Sequence, residues 1–89
     1  MRDENLKITY RHGRALAAYY SFAVRGRARS HRTREMGPGL LVDFTRSGRP
    51  IGVEILDPKK TSLAALNRIM RALGLPALKR ADVRPLHAV

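Results

Sequence analysis

Few residues of this chain have the type and spacing that chemistry requires, and the best placed are two carboxylates. Asp43 and Glu54 sit in alternating segments on either side of a short Gly-containing turn, so a hairpin brings them near each other on its polar face. Paired carboxylates can separate their pKa values and divide acid and base work. Here no histidine, cleft or metal ligand accompanies them, and pairing with Arg or accepting turn amides is the simpler role. Ser21, Ser30, Ser47 and Ser62 stand in no nucleophile elbow or triad context. His12, His31 and His87 are dispersed, with no second ligand at helical or strand spacing, so no metal site is expected. The chain has no cysteine, which removes thiol chemistry, disulfides and zinc knuckles. The glycines lack the strand, loop and helix context that brings successive amides onto a phosphate. The reading is a protein that is not an enzyme and uses no cofactor.

Charge is the next candidate for function. Eighteen Lys and Arg oppose seven Asp and Glu, a formal charge of +11, which calls for an anionic partner or reflects an Arg-rich composition. The densest stretch is residues 25–34, where Arg25, Arg27, Arg29, Arg32 and Arg34 can lie along a phosphate backbone without reading bases. Of the nearby aromatics, Tyr20 and Phe22 fall on an apolar face, which leaves Tyr19 as the single candidate for stacking on a base.

These residues need elements to position them, and the hydropathy pattern supplies most of those. Leu6, Ile8 and Tyr10 alternate with Lys7 and Thr9 as in a half-buried strand. After a turn at Gly13, alternation resumes with Leu16, Ala18, Tyr20, Phe22 and Val24 on one face; Ala and Leu keep a helix open as the alternative, but the period of two favours a strand. Residues 25–34 read as a solvated loop running into a strand. A Gly-Pro-Gly break precedes a strand with Leu40, Val42 and Phe44 on one side, and Ile51, Val53 and Ile55 form its hairpin partner. Thr61 or Ser62 can cap a helix carrying Leu63, Leu66, Ile69, Met70 and Leu73 at helical spacing, stopped by Gly74 and Pro76. The expected fold is α+β: an antiparallel meander of about four strands, two hairpins, covered by one C-terminal helix. Residues 1–76 form that single domain, and residues 77–89 are a tail or docked extension with no sustained period.

The segment from Gly37, Pro38 and Gly39 through Leu40, Leu41, Val42, Asp43 and Phe44, followed by Ser47, Gly48, Arg49, Pro50, Ile51, Gly52, Val53, Glu54, Ile55, Leu56 and Asp57, resembles the family called domain of unknown function 2283. The likeness spans roughly residues 6–58 and includes the tyrosine-bearing first hairpin and the Gly-x-Glu-Ile strand. It departs where the family usually carries acidic residues after the early tyrosine, because this chain has Arg11, His12, Gly13 and Arg14. The resemblance implies a small β-rich module without established catalysis, some members of which are antitoxin candidates.

From this follow the functional expectations. The first is a non-catalytic protein-interaction module, antitoxin-like in its most concrete form, that binds itself or the product of a neighbouring gene through Leu78, Val83, Leu86 and Val89 of the tail. The alternative is a nonspecific nucleic-acid binder using the Arg-rich segment. No small molecule or membrane partner is expected: no apolar run is long enough to span a bilayer, the N-terminus shows no leader, and the location is read as cytoplasmic. The open edges of a short meander favour a homodimer. The two functional readings separate on one property, since a nucleic-acid binder needs its cations gathered on one face.

Overall fold

The computed structural model describes residues 6–22 and 29–87. Arg25, Arg27, Val24 and Val89 lie outside the described residues. The fold is α+β, a five-stranded antiparallel sheet with two short α-helices. The strands are β1 (Leu6–Arg11), β2 (Arg14–Ser21), β3 (Arg32–Gly37), β4 (Leu40–Phe44) and β5 (Pro50–Ile55). A 3-10 turn at Pro58–Lys60 leads to α1 (Leu63–Ala72), and α2 (Arg80–Val83) runs into a second 3-10 turn at Arg84–His87.

The strand order is β1-β2-β5-β4-β3, so the sheet is not the expected four-stranded meander. Two differences account for this. The end of the Arg-rich segment is itself a strand, and β5 inserts beside β2 instead of ending the sheet. Edge and centre explain the order physically: β1 and β3 carry Lys7, Thr9, Arg32, Thr33 and Arg34 exposed, whereas β4 and β5 hold the fully buried Val42, Val53 and Ile55. Charged strands tolerate an edge because they resist further pairing, and apolar strands need neighbours on both sides.

Three tight turns set the registers. His12 and Gly13 both have positive φ, 52° and 77°, the two-residue geometry that matches strand twist. Pro38 followed by Gly39 at φ 70° turns β3 into β4. Between β4 and β5, Thr45 organises the loop: its Oγ1 accepts from the Arg49 amide at 3.0 Å, and its carbonyl accepts from the Gly48 amide at 2.9 Å.

Alternation divides the sheet into two faces. Ala18, Tyr20, Phe22, Leu40, Val42, Phe44, Val53 and Ile55 form the buried one. Helix α1 closes part of it with Leu66, Ile69 and Met70. Its start is fixed by Ser62, whose Oγ accepts from the Ala65 amide at 3.0 Å. Its end is a glycine cap: the Leu75 amide donates to the Met70 carbonyl at 2.8 Å and the Gly74 amide to Arg71 at 3.1 Å. Tyr10 and Leu16, expected on the core face, are 51% and 46% exposed. They lie on the hairpin beyond Ala18, the last β2 residue paired with β5, and a register shift at Thr9/Tyr10 turns the strand there.

The C-terminal segment completes the core. Leu78, Val83 and Leu86, expected to meet a partner, are 7%, 1% and 0% exposed and pack in the same cluster as Ile55 and Leu66. That expectation is corrected: burying them on the chain's own sheet removes them from any partner surface. Two hydrogen bonds fasten the segment to α1, from Asn67 Nδ2 to the Leu78 carbonyl at 3.1 Å and from the Leu78 amide to Asn67 Oδ1 at 2.6 Å. The Asp82 carboxylate accepts from the Lys79 amide at 2.8 Å and caps α2.

Candidate functional site

The uncovered face of the sheet brings together the residues that sequence analysis singled out for acid-base chemistry. Directly opposed residues share a face, so register places Lys7, Tyr19, Glu54, Leu41 and Glu35 in one row. Ser21, Gly52, Asp43 and Thr33 form the next row. Asp43 and Glu54 are therefore diagonal neighbours and not a directly opposed pair.

Asp43 already has its partners. Tyr19 Oη donates to Asp43 Oδ2 at 2.9 Å, and Thr33 Oγ1 donates to Asp43 Oδ1 at 2.5 Å. Tyr19 stands on β2 and Asp43 on β4, so the phenol reaches across all of β5. Gly52 makes that reach available: a Cβ there would meet the Tyr19 ring at 2.6 Å. The network thus links β2, β4 and β3 over a glycine in β5. Burial raises the Tyr19 pKa well above the ordinary tyrosine range, and the Asp43 hydrogen bond and charge, with Glu54 beyond, push the same way. A phenol held neutral, with both oxygens of Asp43 engaged, is a cross-strand latch. It also removes Tyr19 as a stacking platform, since its ring rests on its own sheet.

The covered side carries different chemistry. The layer formed by residues 58–87 presents seven exposed cations, Lys59, Lys60, Arg68, Arg71, Lys79, Arg80 and Arg84, against one carboxylate, Asp82. Among the described residues no ion pair neutralises them. Arg32 and Arg34 join this side at the sheet edge, because their partners in register are Phe44 and Val42 of the core face. The Arg32 guanidinium lies 5.7 Å from the Phe44 ring centroid, so its stem covers core while its charge stays exposed. Arg29 is exposed, outside any strand.

Of the expected arginine cluster, Arg32 and Arg34 are held on the helical side, Arg29 is exposed outside any strand, and Arg25 and Arg27 lie outside the described residues. The cations that sequence reasoning missed are those of the layer. The signal is a count, one acidic residue in the thirty-residue segment 58–87, which the denser basic run at residues 25–34 obscures.

Among the described residues no three His, Asp or Glu side chains converge as a metal site would require. No helix among them is long and apolar enough to cross a membrane. No family model, curated protein or solved structure matches the chain, so the family likeness rests on the quoted residues alone.

Proposed function

We propose that this protein binds polyanions, in the first instance the phosphate backbone of nucleic acid, without reading sequence and without catalysis. One observation carries the reading: the separation of charge between the two sides of the sheet. Seven cations of the helical layer, without an ion pair among the described residues, lie with Arg32 and Arg34 on the side opposite Asp43 and Glu54. A phosphate backbone needs such a one-sided array, and each contact releases condensed counterions. Base readout is absent from the proposal because, among the described residues, the exposed aromatic, Tyr10, lies at the β1 edge and not among the cations of the layer. A fluorescence titration of a short duplex at two salt concentrations tests it. Binding should be indifferent to sequence and fall steeply with salt; binding that survives physiological salt and prefers one sequence defeats it.

A second reading rests on a different feature. Strand β1 is an outer edge, unpaired on its far side among the described residues; Lys7 and Thr9 protect one end, but Tyr10 and Leu16 leave its hairpin end exposed and apolar. This supports pairing of β1 with a second copy or with another protein, as in the antitoxin-like expectation. Light scattering that gives a monomer mass over a wide concentration range removes the homodimer.

A further inference from the structure

We infer that the cleft between the first 3-10 turn and α2 is a seat for one phosphate group, whether a free phosphate or a phosphodiester of a nucleic-acid backbone. The inference rests on, and deepens, the polyanion-binding reading. The cleft has a volume of about 290 Å³ and is lined by Lys59, Lys60, Ser62, Arg80 and His87, with Val83 at its floor. Its cations come from two segments about twenty residues apart in sequence, which only the docking of the C-terminal segment brings together. No carboxylate lines it, and the nearest acidic residue in sequence, Asp82, is engaged by the Lys79 amide. Lys59, Lys60 and Arg80 form no ion pair among the described residues.

The walls are fixed before any ligand arrives. His87 Nε2 donates to the Thr61 carbonyl at 2.6 Å, tying the C-terminal turn to the segment that carries the lysines. Thr61 Oγ1 in turn donates to the Asp57 carbonyl at 2.8 Å. A concave space with three free cations, a hydroxyl and no anion suits a compact, multiply charged oxyanion better than a carboxylate or an apolar ligand. Arg80 supplies a planar fork for two oxygens, and each lysine supplies a point charge.

The test follows backbone amide resonances of the full chain while inorganic phosphate is added at constant ionic strength. Saturable shifts should be confined to residues 59–63, 80–83 and 87. The K60Q/R80Q variant should bind phosphate at least about tenfold more weakly, since losing even one of its two charged hydrogen bonds has that effect. The R68Q/R71Q variant, which removes as many charges from the exposed side of α1, should bind it within about twofold of wild type, because those side chains lie outside the cleft. Both variants alter exposed side chains, and an unchanged spectrum elsewhere confirms the fold. Shifts that never saturate, shifts spread equally over all cations, or a K60Q/R80Q variant that binds phosphate like wild type overturn the site. A duplex titration then separates the two proposals. Phosphate in the cleft with no duplex binding upholds the site and removes the nucleic-acid reading. Duplex binding that R68Q/R71Q weakens and K60Q/R80Q leaves intact upholds the reading and removes the site.

Discussion

The two sides of the sheet are made by the same five strands and carry opposite chemistry. On the uncovered side, the central polar residues are spent on one another and the charges beside them are of both signs: Tyr19 and Thr33 occupy both oxygens of Asp43 over Gly52, and Lys7 shares a row with Glu35 and Glu54. On the helical side, apolar residues are turned inward and the cations have no ion-pair partner among the described residues. A polar group already engaged stabilises its own fold and has little to offer a ligand, whereas an unneutralised charge on a rigid layer stores interaction for a partner. Sequence proximity obscures this difference, since carboxylates at hairpin spacing look more like a site than scattered lysines do.

The largest expected effect tests whether the C-terminal segment is part of the fold. Leu86→Ala should cost about 3 kcal/mol of unfolding free energy, as for a buried leucine whose cavity does not collapse. Urea denaturation measures it; a loss under about 1 kcal/mol would mean the segment is not packed. Removing residues 77–89 should lower thermal stability further, because Leu78, Val83 and Leu86 all leave the core.

The latch on the other side is smaller. Gly52→Ala should cost about 1 to 2 kcal/mol, since the new methyl group displaces the Tyr19 ring and breaks its bond to Asp43. In a Tyr19→Ala background the same change should cost much less, and a double-mutant cycle reads the coupling. Additive effects would separate Gly52 from the latch.

Tyr19→Phe should remove about 1 kcal/mol, the worth of one hydrogen bond. The pH dependence has a definite sign. Tyr19 has a folded pKa raised above its unfolded value, so its contribution is complete below the unfolded pKa and is lost as pH rises through the folded one. Alkaline titration by tyrosine absorbance should therefore show Tyr19→Phe with one late-titrating phenol fewer than wild type. If the late-titrating absorbance is the same in both proteins, the latch is assigned to the wrong residue.

The smallest effect on stability belongs to the helical layer. Arg68→Gln and Arg71→Gln together should change the unfolding free energy by less than about 0.5 kcal/mol, as exposed residues without partners do. A loss of several kcal/mol would show that these cations serve the fold.

What the sequence revealed follows from how locally each feature is determined. Strands β1, β2, β4 and β5 and helix α1 were legible because a single period runs through each. Strand β3 was legible only as a strand that the Arg-rich loop runs into: its start at Arg32 was hidden because Arg32 covers Phe44 with its stem, which hydropathy scores as exposed charge. The strand order depends on which strands tolerate an edge, a property of the whole sheet. Alternation placed Tyr19 and Asp43 on the same side, but their contact needs the register of three strands and the missing side chain of Gly52. Docking of residues 77–89 stayed open against a free tail because Leu78, Val83 and Leu86 are spaced by five and then three residues, across an α-helical turn and a 3-10 turn that share no one period.

The central claim is that the helical layer, and not the sheet's open face, is the binding surface. The most direct measurement is the salt dependence of duplex affinity for two variants of equal charge change: K59Q/K60Q on the layer and K7Q/R14Q on the β1–β2 hairpin. The account predicts that the layer variant binds more weakly and that the slope of log affinity against log salt falls by about 2, while the hairpin variant keeps the wild-type slope. Equal losses of slope in both variants would show that only net charge matters, and would contradict it.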